Sequence, residues 1–372
     1  MMTEQRPAIR PVEEILDADV YGRIVRSLHH EEGDRVPIWD LIDNRPTYDH
    51  FAPGETDALK ASVAVYHGLG IDLCRGFTFP FAEEQEGTRR EDGGFEYTVL
   101  GRTHWISKRP WQTPADLAEV KIPEVSVDHY LEKDLPRFLE QREAFAPRTM
   151  LVPGGGCGYH AAYGHVGTVL FLEAIYEARD EVERLVWAFN QHAVARAQAF
   201  ADANLCPIYF IGDDIAYKGA TMASPQFLRE TFIPALARTC GPVKKAGMKV
   251  IFHSDGYVME VLDDMIEAGI DGLNPIEPLA GMDIGYLKKR YGKHLVLVGN
   301  VDCSQLLPLG SVEEIREGVR ACLHAAAAGG GHFIGSSSEI VPATPLENVL
   351  AFYEACHELG TYPLRIQTSA TA

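Results

Sequence analysis

Residues 248–302 read MKVIFHSDGYVMEVLDDMIEAGIDGLNPIEPLAGMDIGYLKKRYGKHLVLVGNVD. Three short runs in it are almost continuously apolar: MKVIFH (248–253), IDGLNPI (270–276) and HLVLVGN (294–300). Strands buried on both faces read this way, whereas half-exposed strands alternate. Between the first two lies YVMEVLDDMIEAG (257–269), which reads as a helix ended by glycine. Strands alternating with helices indicate a parallel sheet.

Five further runs extend the pattern in both directions. They are VPIWD (36–40), IDLC (71–74), RTMLVP (148–153), PIYFIG (207–212) and GHFIGS (331–336). Helical patterns fall between and after them. SPQFLRETFIPALARTCGPVKKAG (224–247) starts with Ser followed by Pro, and SVEEIREGVRACLHAAAAGG (311–330) starts with a capping box, Ser311 and Glu314. TPLENVLAFYEACHELG (344–360) has Thr344 and Glu347 at the same spacing. Eight strands with intervening helices predict an α/β fold, a single (β/α)8 TIM barrel. The alternative is a doubly wound open sheet. Such a sheet carries a Gly-rich phosphate turn after its first strand, and DLIDNRP (40–46) is not one.

The length of 372 residues is compatible with one long barrel or two to three smaller domains. The barrel reading assigns residues 34–363 to the barrel and 364–372 to a tail. Residues 1–33 form an N-terminal tail and helix, with apolar positions at 12, 15, 16, 20, 24, 25 and 28. The region of about 80–147 reads as an insertion after the second strand. It holds hairpin material, FEYTVLGRTHWISKRP (95–110), and one or two helices.

The charge is 34 − 53 = −19, which disfavours nucleic acid as a partner. Seven cysteines, with no C-x-x-C pair, argue against a disulfide framework and for a reducing compartment. The opening MMTEQRPAIRPVEEI has no apolar core of a signal peptide, and no apolar run reaches the ~20 residues of a membrane span. The expectation is a cytoplasmic protein with a small-molecule substrate and no membrane contact.

Barrel chemistry sits where strands end at the carboxyl side. Here those points are polar: Asp40 after the first strand, Tyr159 and His160 after the third, and Asp213 and Asp214 after the fourth. His253 and Asp255 follow the fifth, Glu277 the sixth, Asn300 and Asp302 the seventh, and Ser338 and Glu339 the eighth. Any one of these is explained as a helix-capping residue. Their convergence on one rim favours a pocket. His253 and Asp255, two residues apart just past a strand, can turn towards one ion, and imidazole and carboxylate both bind zinc. Glu277 and Ser338 complete a candidate metal set. Asp213, Asp214, Tyr159 and His160 are candidate catalytic groups; Asp40, Asn300, Asp302 and Glu339 are candidate substrate contacts.

GGGCG (154–158) lacks the Lys-Ser/Thr of a phosphate loop and reads as a flexible turn permitting close substrate approach. GGGH (329–332) precedes the last strand and reads as a helix end and tight turn. Cys157 and Cys303 follow strands without a nearby base and read as packing residues.

The segment HSDGYVMEVLDDMIEAGIDGLNPIEPLAGMDIGYLKKRYGKHLVLVGNVDCSQLL resembles the uroporphyrinogen decarboxylase-like superfamily, as does GGGHFIGSSSEIVPATPLENVLAFYEA. GDRVPIW and GDDIAYKGATMASPQFLRETFIPAL fit it too, so the resemblance runs from about 20 to 363 and is weak between 80 and 147. It implies a TIM barrel and one of two chemistries. The cofactor-free decarboxylases use an Arg-rich motif after the first strand, an Asp after the second, a Tyr after the third and a His after the last. Here Asp40 and Asp43 stand in the first loop, only Arg45 is basic there, and Ser338 takes the place of the His. Such a site disfavours a polycarboxylate. The zinc methyltransferases use His-x-Cys after strand five, a Cys after the last strand and, in one branch, a Glu from the next strand. His253 and Glu277 match; Asp255 and Ser338 stand where Cys is expected.

Oxygen ligands leave zinc a stronger Lewis acid than thiolates do. The expected activity is therefore demethylation of a methyl ether or methylated amine, the methyl group passing to a corrinoid. No D-x-H-x-x-G corrinoid motif occurs in the chain, so the corrinoid would be carried by a partner protein. The resemblance also implies a homodimer, since relatives commonly form dimers. The competing expectations are a cofactor-free decarboxylase of porphyrin metabolism and a non-catalytic small-molecule-binding barrel.

Overall fold

A computed structural model describes residues 9–78, 80–82, 85–90, 94–99, 102–106 and 108–364. The outermost tail residues, 1–8 and 365–372, lie outside the described residues.

All eight expected runs form staves of one parallel ring. Leu73–Cys74 pairs with Met150–Leu151, and Gly154–Gly155 pairs with Ile208–Gly212. The order then continues through Lys249–His253, Gly272–Asn274, Val296–Val298 and His332–Phe333. Residues 38–39 close the ring: Ile38 bridges Ile334 and Trp39 bridges Leu73, both parallel. The amide of Trp39 donates to Ile334 O at 2.9 Å, and that of Ile334 to Pro37 O at 2.9 Å.

Both faces of each stave are buried, which is why the runs read as continuously apolar. Side chains of Trp39, Leu73, Met150, Phe210, Val298 and Phe333 belong to an interior cluster. Trp39 lies 6.1 Å from Phe210 and 5.9 Å from Phe333, centroid to centroid, filling the barrel as in a packed core. Their neighbours Ile38, Cys74, Leu151, Ile211, Leu297 and Ile334 face the outer helices. The alternation fixes what reaches the mouth: Ile251 points inward, so His253 does as well.

Helices Val12–Ile15 and Ala18–Leu28 join the interior cluster through Val12, Ile15, Leu16, Ile24 and Leu28. The single helix expected over 12–28 is broken where Leu16 turns extended. On the same segment, Arg23 bridges Asp34 and Asp72, and Arg35 also binds Asp72.

The insertion holds an antiparallel sheet, Gln85–Arg89, Phe95–Val99 and Arg102–Ile106, then helix Val127–Phe145. The turn of the expected hairpin, residues 100–101, lies outside the described residues.

The capping box at Ser311 and Glu314 forms on helix Val312–Ala326. Two helix boundaries and one helix interior differ from expectation. The helix after His253 begins only at Leu262. The last helix begins at Leu346 after Pro345, so Thr344 is not its cap and its hydroxyl is buried without a partner. The helical run after Ser224 contains a wide π turn over Leu228–Phe232. GGGCG is not a flexible turn: Gly154–Gly155 extends the third stave, and Gly158 packs against helix Arg179–Ala203. A Cβ at Gly158, whose φ is +111°, would lie 2.6 Å from the Asn190 amide. Among the described residues, no helix is long and apolar enough to cross a membrane.

Candidate metal centre at the barrel mouth

His253 ends the fifth stave and stands in register opposite Asn274. Its Nδ1 lies 2.6 Å from Asn274 Oδ1. A carbonyl oxygen only accepts, so Nδ1 carries the proton and Nε2 presents a lone pair. Nε2 lies 3.7 Å from Asp214 Oδ1 and 4.0 Å from Asp255 Oδ1. Asp214, His253 and Asp255 each offer one ligand atom, all within 4.8 Å of one another. Burial, followed by the charge of Arg75, pushes the His253 pKa down to about 4, so the ring stays neutral. Burial, followed by Asp214 and Glu277, pushes Asp255 up to about 7. Among the described residues, nothing hydrogen-bonds to Asp255 Oδ1, which is buried.

The two adjacent aspartates part company. Asp214 faces the cavity, its Oδ1 accepting from the Asp255 amide at 3.2 Å. Asp213 is fully buried and turned to the protein. Its Oδ2 accepts from the amides of Cys157 and Gly158, and its Oδ1 from that of His160. It thereby caps helix Tyr159–Val166 and sets the position of His160. His160 is half-exposed, with Nδ1 3.5 Å from Asp214 Oδ2 and its ring stacked on Tyr163 at 4.6 Å. Tyr159 is fully buried among Tyr163, Phe171 and Phe232.

The remaining expected residues are distributed around this group. Glu277 holds the Gly256 amide through Oε2 at 3.0 Å and stands outside the three-residue cluster. Ser338 gives its carbonyl oxygen to Arg75 at 3.4 Å, and Glu339 Oε2 lies 3.9 Å from the same guanidinium. Asp40 is buried at the barrel seam, accepting from the Ser336 hydroxyl and amide, the Leu41 amide and the Tyr353 hydroxyl. Asn300 donates to Ile276 O, and Asp302 accepts from the amides of Ser304, Gln305 and Leu306. Each of these last three supports backbone.

Two residues of the site are not marked by the sequence: Arg75 carries no signal of its own, and Asn274 stands among the polar strand ends without a role. Arg75 is reachable by parity, since Leu73 points inward and Arg75 two residues on does too; Asn274 meets His253 only through the register of two strands. All seven cysteines are buried and free, and none belongs to the cluster.

The sequence model of uroporphyrinogen decarboxylase (URO-D) matches residues 105–359, well over half of the chain. The chain belongs to the uroporphyrinogen decarboxylase family. Relatives of this family member include the methylcobamide:CoM methyltransferase MtaA of Methanosarcina barkeri. That protein is 25% identical over 303 residues, 80% of this chain and 83% of its own. A methylated-thiol–coenzyme M methyltransferase of Methanosarcina mazei is 26% identical over 151 residues, 41% of this chain and 38% of its own. The solved structure of a methyltransferase from Methanosarcina mazei superposes with a TM-score of 0.67 at 23% identity, covering 91% of this chain and 98% of that one. The superposition establishes the barrel for this member of the family.

Proposed function

We propose that this chain is a methyltransferase that demethylates a small methyl ether or methylated amine and passes the methyl group to a corrinoid carried by a separate protein. The observation that carries the reading is the neutral His253 with Nε2 open towards Asp214 and Asp255. One nitrogen and two carboxylates suit a zinc-type ion with a further position left for substrate. The orphaned Asp255 oxygen, and the burial beside Asp214 and Glu277 that pushes its pKa up to about 7, support a cation there. Such an ion, when bound, supplies Lewis acidity towards the oxygen or nitrogen that leaves.

The chain's own residues then have distinct tasks. Asn274 holds the His253 tautomer. Asp213 fixes the turn that carries His160. His160, oriented by Asp214 and stacked on Tyr163, is placed to give a proton to the departing oxygen or nitrogen. The absence of cysteine from the cluster supports an oxygen or nitrogen substrate over a thiol.

The test is anaerobic incubation of zinc-loaded protein with cob(I)alamin and a panel of methoxylated aromatics and methylamines. Demethylated product and methylcobalamin in equal amounts support the reading. Carbon dioxide release without corrinoid would replace it with decarboxylation, and inert tight binding with a non-catalytic barrel.

A further inference from the structure

A cavity of about 460 Å³ opens beside the cluster, within the range of small-molecule sites. Its wall carries both signs of charge, with the Asp214 carboxylate set against the Arg75 and Arg196 guanidinium groups and the neutral His253 ring beside them. Phe210 lies in it as well, and Gly154 and Gly212 contribute backbone only. These glycines are required by Phe210: a Cβ at Gly154 would lie 2.6 Å from Phe210 O, and one at Gly212 would lie 3.1 Å from the ring. The Phe210 ring thereby reaches the cavity wall between charged groups.

The two guanidinium groups are not equivalent. Arg196 pairs with Asp134, donates to Gly154 O at 2.8 Å and lies over Phe200. Arg75 has one long hydrogen bond, to Ser338 O at 3.4 Å, and Glu339 Oε2 at 3.9 Å. A well-formed charge-assisted pair is closer to 2.8 Å. Among the described residues, Nε and Nη1 of Arg75 have no hydrogen-bond partner. The group is nevertheless held in place, with Cζ 5.5 Å from the Phe210 ring centroid. A positioned guanidinium with spare donors suits the two oxygens of a carboxylate.

We propose that Arg75 anchors the carboxylate of a flat, singly anionic ligand whose ring lies against Phe210. That this ligand is the methyl donor rests on the methyltransferase reading; that it binds through Arg75 does not. The carboxylate end would sit on Arg75 and leave the rest of the molecule towards His253 and Asp214. A single carboxylate matches one guanidinium, whereas further negative charges would meet Asp214, Asp255, Glu277 and Glu339.

Calorimetric titration with benzoate, 4-methoxybenzoate and neutral methoxybenzene tests this on wild type, Arg75→Gln and Arg75→Lys, each with and without zinc. The expected result is preferential binding of both carboxylates to wild type. Arg75→Gln should weaken them about tenfold or more, Arg75→Lys less, and methoxybenzene should be unaffected. Melting curves check that each variant is folded, and Arg75→Lys serves if Arg75→Gln is not. Carboxylates that bind no better than methoxybenzene, or bind equally well to both variants, overturn the proposal. Arg75-dependent binding without methyl transfer would sink only the function; methyl transfer with Arg75-independent binding would sink only this anchor.

Discussion

Nδ1 of His253 and Oδ1 of Asn274 lie 2.6 Å apart across two neighbouring staves, opposite one another in register. Backbone pairing therefore sets the tautomer of the ring. Replacing Asn274 with Leu keeps the bulk and removes the acceptor. Zinc affinity should fall roughly 10- to 100-fold, the usual effect of losing such a supporting hydrogen bond. Asn274→Asp retains an acceptor and should bind more tightly than Asn274→Leu. Competition with a chromogenic chelator measures both.

Asp213 and Asp214 are neighbours with opposite consequences. Asp213→Ala leaves the amides of Cys157, Gly158 and His160 unsatisfied in a buried turn. Its expected cost is about 2–4 kcal/mol of stability by denaturant unfolding. Asp214→Asn, at a partly exposed position, should change stability by less than ~1 kcal/mol and should lower metal affinity instead. Equal destabilisation by both substitutions would contradict this division.

His332 supplies a pH dependence. It is fully buried, with Nε2 2.8 Å from Gly299 O, and burial pushes its pKa down from 6.5 to about 4. Between these values the unfolded chain binds the proton and the folded chain does not. Stability is therefore fully present above pH 6.5 and lost as pH falls towards 4. The loss from this group is on the order of 3 kcal/mol. Unfolding of wild type and His332→Gln at intervals from pH 7 to 4.5 checks it: the variant should show the shallower decline, whatever its stability at pH 7.

The barrel seam makes a second pH-dependent prediction. Four donors surround Asp40, yet burial still pushes its pKa up to about 6. These donors favour the charged form. Tyr353→Phe removes one of them and should cost about 1–2 kcal/mol. That cost should grow as pH rises through about 6, where the carboxylate ionises, and shrink at pH 5. A cost independent of pH would show that the hydroxyl acts by packing alone.

The barrel was legible because its staves are buried on both faces, and eight apolar runs stand out without knowledge of pairing. His253 and Asp255 were legible as a pair because they follow one strand. The third member, Asp214, reads in the sequence as a catalytic candidate, since its approach to His253 depends on two neighbouring staves in register. Polar residues at strand ends do not announce their direction. Asp40, Asp213, Asn300 and Asp302 look alike in sequence to Asp214, yet Asp40, Asp213 and Asp302 accept from capping or seam donors and Asn300 donates to a backbone carbonyl. Arg75 is not distinguished in the sequence, because one arginine in CRGFTFPF looks like any loop cation until the inward parity of its strand is known.

The central claim is that Asp214, His253 and Asp255 form one metal centre, and its most direct measurement is zinc stoichiometry after equilibrium dialysis. Wild type should retain about one ion per chain. His253→Ala and Asp255→Ala should each retain far less, with melting curves showing them folded, while Glu277→Gln should retain most of the metal. Wild type that holds no more zinc than folded His253→Ala would contradict the account.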